Sequence, residues 1–101
     1  MRLDIACPRK LWSSDLSAYV HRSLNFAIDR FADRVQKVRV RIADLNGSKG
    51  GVDKQVRLIA TVKNIGSIVV EGVSNDAYSA CDIVAQKLKK VVARAKQKRA
   101  H

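Results

Sequence analysis

NDAYSACDIVAQKLKKVVARAKQKR, residues 75–99, reads as one long helix with two unlike faces. Ala77, Cys81, Val84, Leu88, Val91, Val92 and Ala95 recur at three- to four-residue spacing and form one apolar stripe that must pack on the rest of the chain. No acid follows Asp82, whereas Lys87, Lys89, Lys90, Arg94, Lys96, Lys98 and Arg99 all do. At about 100° per residue, Lys87, Lys90, Arg94 and Lys98 fall within an arc of roughly 80°, beside the stripe rather than opposite it. A docked helix showing a row of cations with no internal counter-charge suits a polyanion, and a nucleic-acid backbone is the nearest candidate.

Upstream of that helix the period is two. Ser67 to Val73 reads as a strand, with Ser74 or Asn75 as the helix cap after it. Before the turn Asn64-Ile-Gly66, Val56, Leu58, Ala60 and Val62 alternate with Arg57, Ile59, Thr61 and Lys63. In Lys37-Val-Arg-Val-Arg-Ile42, the apolar Val38, Val40 and Ile42 alternate with Lys37, Arg39 and Arg41. Asn46-Gly-Ser-Lys-Gly-Gly51 between them reads as a mobile hairpin loop. It lacks the Gly-Lys-Ser/Thr sequence and the following helix of a phosphate-binding loop.

Further upstream, Ser13 or Ser14 caps a helix whose stripe runs Leu16, Tyr19, Val20, Leu24, Ala27, Ile28 and Phe31, to about Asp33. Asp15 sits in its first turn, where the dipole favours an anion. Phe26 lies off the stripe, as an edge-packed ring or a stacking surface. Asp29 and Asp33, with Arg30 and Arg34 beside them, read as local surface pairs. Leu3 and Ile5 alternate with Arg2 and Asp4 in a first strand that Pro8 ends.

The order is β-α-β-β-β-α, an α+β fold. The first strand, helix and second strand form a β-α-β unit with parallel strands, and the rest pair as antiparallel hairpins. Both helices carry one apolar stripe, so both should cover one face of a four-stranded mixed sheet. The open face would carry Arg2, Lys37, Arg39, Arg41, Arg57 and Lys63, relieved by few acids.

Composition bounds the function. At 101 residues the chain is expected to form a single domain, 1–101, and its 47% apolar content supports a core. Twenty Lys and Arg against nine Asp and Glu leave a net charge of +11, and the pI is near 10.3. A small folded protein this basic points to nucleic acid before an anionic membrane surface. No apolar run reaches the roughly 20 residues of a membrane span, and the charged N-terminus does not read as a signal peptide, so a cytoplasmic location is expected. Cys7 and Cys81 lack a C-x-x-C spacing, so neither a zinc site nor a redox motif is supported; Cys81 reads as a small core residue. His21 and His101 have no nucleophile placed near them, and the carboxylates lie scattered along the chain. The chain is therefore read as no enzyme, with no metal and no cofactor.

Asp76-Ala-Tyr-Ser-Ala-Cys-Asp82, followed by Lys87-Leu-Lys-Lys90, resembles the last helix of the ribosome hibernation-promoting factor and ribosome-associated inhibitor family. The stretch from Arg41 to Lys54 is similar to a loop of one short branch of that family, and the element order agrees along nearly the whole chain. The resemblance implies a monomer that binds the small (30S) ribosomal subunit and its 16S rRNA between head and body. There it would occupy the sites of messenger RNA and tRNA and silence translation under stress or in stationary phase. It further implies rRNA contacts by Lys87, Lys90, Arg94, Lys96 and Lys98; Arg39 and Arg41 of the basic open face, and Arg22 of the first helix, are read as additional RNA-facing cations. Ser23 stands where the family commonly has a first-helix lysine, next to Arg22.

Tyr78 reads as a packed residue tying helix to sheet before an rRNA contact, and Asp76 and Asp82 as acids placed by the helix dipole. Two other readings compete. A double-stranded RNA module also puts helices on one sheet face, but its lysines open the last helix. A stress protein acting through protein partners would use the basic tail for solubility alone.

Overall fold

The computed structural model describes residues 2–45 and 53–99, with side chains as far as Arg94 in the last helix. The Asn46–Gly51 loop and the side chains of Ala95, Lys96 and Lys98 lie outside the described residues.

Strand β1 (Arg2–Ala6) is followed by helix α1 (Ser14–Ile28), a 3-10 turn (Asp29–Phe31), strands β2 (Val35–Asp44), β3 (Lys54–Val62) and β4 (Gly66–Ser74), and helix α2 (Ala77–Arg99). The sheet order is β1-β2-β3-β4. Strand β1 runs parallel to β2, with Ile5 opposite Val40, while Val40–Leu58 and Leu58–Val70 mark the two antiparallel pairings. This is the expected α+β fold.

The period-two pattern works as read. Val38, Val40, Ile42, Val56, Leu58, Ala60, Val62, Ile68 and Val70 are all buried on one face. Leu16, Val20, Leu24, Ala27 and Ile28 of α1 cover it together with Ala77, Ala80, Cys81, Val84, Ala85, Leu88 and Val92 of α2. A slip in the β2–β3 ladder between Val35 and Lys37 lets Val35 and Val38 both face inward, which strict alternation forbids.

Two glycines have opposite reasons to be there. Gly66 ends the β3–β4 turn at φ +98°, after Asn64 at φ 68°, and a side chain on it would meet nothing; its requirement is conformational. Gly72 lies under α2, where an added Cβ would come within 2.8 Å of Ile83 Cγ2 and 3.1 Å of the Ala80 carbonyl. Its missing side chain sets how closely α2 lies on β4.

The caps correct one expectation and keep another. Ser13 caps α1, its Oγ accepting from the Leu16 amide at 3.0 Å. Helix α2 is capped by Asp76 rather than Ser74 or Asn75: Oδ1 accepts from the Ser79 amide at 2.8 Å and Oδ2 from the Ser79 hydroxyl at 2.9 Å. These bonds hold the Asp76 carboxyl below its ordinary range. The first helix is shorter than its period suggested. It tightens into the 3-10 turn at Asp29, so Asp29 and Asp33 share no helix face, and neither pairs with Arg30 or Arg34.

A candidate nucleic-acid interface

Lys87, Lys90 and Arg94 come together, because their arc beside the apolar stripe of α2 overhangs the outer edge of β4. With Val69, Val70, Glu71 and Val91 they line an open groove of about 460 Å³. Lys87 Nζ donates to the Glu71 carbonyl at 2.7 Å. Glu71, the acid of the groove, turns its carboxylate to Arg57 on the neighbouring strand at 3.4 Å. Among the described residues none of the three cations has a carboxylate partner, so the row's charge is open to an external anion.

Arg39 and Arg41 lie on the opposite, helix-free face. They surround a hollow of about 360 Å³ with Arg57, Asp4, Ala6 and Ile59. Arg41 and Arg57 stand directly opposite each other across the β2–β3 pair, an arrangement that costs stability unless a counter-charge is near. Glu71 supplies it for Arg57, and Asp4 does so for Arg2 at 3.6 Å and Lys37 at 3.9 Å. The open face is thus less uniformly basic than expected: Lys63 sits in the turn past β3, and exposed Val69 and Val73 make its β4 side apolar. Among the described residues, Arg39 and Arg41 remain its cations without an ion pair.

Arg22 joins neither group. Its guanidinium lies 5.8 Å from the centroid of the Tyr19 ring on α1. Tyr19 in turn donates its hydroxyl to Asp82 Oδ1 at 2.6 Å and meets Tyr78 edge-to-face at 5.1 Å. The bond to Asp82 pushes the Tyr19 hydroxyl above its ordinary pKa. Tyr78 therefore ties helix to helix rather than helix to sheet, and Asp82 has a specific partner beyond the dipole.

Arg57, expected on the open face but not singled out as an RNA contact, belongs to the open-face hollow. A charge cluster at the base of the β2–β3 hairpin escaped the sequence reading. Lys54, 14% exposed, donates to Asp53 at 2.8 Å and Asp44 at 3.3 Å, and Lys10 reaches Asp44 at 2.8 Å. Asp53 is fully buried, and its Oδ2 has no hydrogen-bond partner. The hydrogen bond from Lys10, helped by Lys54, holds Asp44 down at about 2.

That depression sets a sign. A carboxyl whose folded pKa lies below its unfolded value, roughly 3.9, stabilises the fold above that pH and loses its contribution as pH falls toward the folded value. Urea midpoints should therefore drop for the native chain between pH about 4 and about 2. Asp44→Asn should be less stable at neutral pH and show a shallower acid limb; identical acid limbs would remove Asp44 from the account.

Cys7 and Cys81 are free thiols. Burial pushes Cys81 up to about 11, which makes it a poor nucleophile. Among the described residues, no group of three or more His, Cys, Asp or Glu is placed to hold a metal ion. No helix is long and apolar enough to cross a membrane, again among the described residues.

Unpaired cations on a sheet-and-helix scaffold make a surface suited to polyanions. Residues 12–100 match the family described as sigma 54 modulation protein / S30EA ribosomal protein, and the chain belongs to that family. Its members are ribosome-associated, and the resemblance to hibernation-promoting factors seen in the last helix is borne out. Similar solved structures share the fold. The N-terminal domain of Thermus thermophilus Protein Y is 24% identical, with a TM-score of 0.72 over 93% of this chain and 98% of that one. A ribosomal subunit interface protein from Coxiella burnetii is 17% identical, with a TM-score of 0.74 over 96% and 99%. No curated protein sequence matches the chain.

Proposed function

We propose that the protein binds the small ribosomal subunit through 16S rRNA and represses translation by filling the decoding channel between head and body. The row of Lys87, Lys90 and Arg94 along the β4 edge, without a carboxylate partner among the described residues, is the observation that carries this reading. Lys96 and Lys98 would extend the row by sequence. Arg39 and Arg41 on the far face are placed to meet RNA on a second side, as a plug between two rRNA walls requires. Such a protein acts by occupancy, in the cytoplasm where the ribosomes are, without reaction or cofactor.

The start of α2 argues against a double-stranded RNA module. Asp76 already occupies the amide end of the helix, where such a module would receive a phosphate.

Occupancy has a stoichiometry. Added to a cell-free translation system, the protein should inhibit in proportion to its ratio to ribosomes, and excess initiator tRNA with initiation factors should relieve it. Inhibition by one molecule per many ribosomes would mark an enzyme and overturn the reading.

A further inference from the structure

Phe26 is 68% exposed, and it stands at the seam where α1 passes over α2. A lone exposed ring is ordinary on a protein surface. This one is built into its surroundings. Lys89 Nζ lies 4.4 Å from the ring centroid, a cation–π contact that orients the ring, and among the described residues no carboxylate pairs with Lys89. The ring also separates two hollows along the seam. One, of about 470 Å³, runs past Arg30, Phe31 and Ala93; the other, of about 300 Å³, runs past Tyr19, Arg22 and Gln86. Lys89 thus covers one face of the ring, while Arg30 and Arg22 border the hollows on its two sides. Of the acids nearby, Asp82 is engaged by Tyr19, and Asp29 borders the larger hollow alone.

An aromatic ring interleaved with cations takes a nucleobase on its face and the adjoining phosphates on its flanks. A duplex cannot use such a site, since its bases are stacked inside, whereas a loop or bulge can splay one out. We propose that the α1–α2 seam captures an unpaired nucleotide, its base stacked on the face of Phe26 away from Lys89 and its flanking phosphates met by Lys89 and Arg30. This rests on the reading of the chain as an rRNA binder and adds the kind of RNA element it meets. The seam is separate from the Lys87–Arg94 groove, because Lys89 points to the other side of α2.

The test uses the full chain with Trp12→Phe and Phe26→Trp, which leaves one tryptophan, at the seam. Single-stranded oligouridylate should quench its fluorescence, and the oligouridylate–oligoadenylate duplex at equal phosphate should not. No quenching by the single strand, or equal quenching by both, overturns the proposal. In small-subunit binding, Phe26→Leu should lose about fivefold or more in affinity, with Phe26→Trp within about twofold of the native chain. Melting temperatures should stay unchanged; a clear fall for Phe26→Leu assigns the ring to packing and overturns the site. If a Lys87, Lys90 and Arg94 triple substitution weakens subunit binding but Phe26→Leu does not, the seam alone is wrong. If neither weakens it, the rRNA reading falls as well.

Discussion

Replacing Lys87, Lys90 and Arg94 together with Gln should lower affinity for small ribosomal subunits by more than about tenfold and flatten its salt dependence by about two units of slope. Each cation that neutralises a phosphate releases roughly 0.7 to 0.9 of a counterion, so three lost contacts show in the slope as well as the midpoint. The fold should survive, because all three side chains are exposed and, among the described residues, none pairs with a carboxylate. Far-ultraviolet circular dichroism and a thermal melt check that point. Sedimentation with purified subunits over a salt series reads the effect. Unchanged binding across the series would remove the α2 row from the interface.

The second large effect is on stability. Gly72→Val should destabilise the fold by at least about 2 kcal/mol, since overpacking typically costs 1–3 kcal/mol and here one obstacle is backbone. For a domain near 100 residues that is a fall in Tm of roughly 8–16 °C. Stiffening the unfolded chain by replacing glycine returns only about 0.4–1 kcal/mol, too little to reverse the sign. The cause is local: a Cβ at position 72 lies 2.8 Å from Ile83 Cγ2 and 3.1 Å from the Ala80 carbonyl. Ile83→Ala should therefore recover part of the loss in the double variant, since residues in contact do not act additively. A Gly72→Val chain as stable as the native one would show that α2 shifts on β4 without strain.

Where sequence periodicity and local chemistry agree, the fold was readable residue by residue. Val38, Val40 and Ile42 alternate with cations and are buried; Leu16, Val20 and Leu24 repeat at helical spacing and are buried. Of the two cap candidates, Ser13 and Ser14, the structure uses Ser13. The misses have separate causes. Ser74, Asn75 and Asp76 are three consecutive cap formers, and only the bonds to Ser79 distinguish them. The slip at Val35–Lys37 breaks the parity on which strand reading depends.

The site was legible in proportion to its locality. Lys87, Lys90 and Arg94 share one helix arc and do converge, although the Glu71 carbonyl beneath them lies 16 residues away. Phe26 and Lys89 each lie off the stripe of their own helix, and tertiary packing alone reveals that they meet. Lys54, Asp44 and Asp53 likewise become a cluster only when the hairpin closes.

The bond from Lys87 to the Glu71 carbonyl has a consequence for self-association. Strand β4 ends the sheet, and a bare outer strand of nine residues is a template on which another chain can add a strand of its own. An ammonium held 2.7 Å from the middle of that edge occupies an acceptor such an addition would need, and brings charge that repels a second basic copy. A cation of the row proposed to meet RNA thereby also guards the sheet against growing into a larger one.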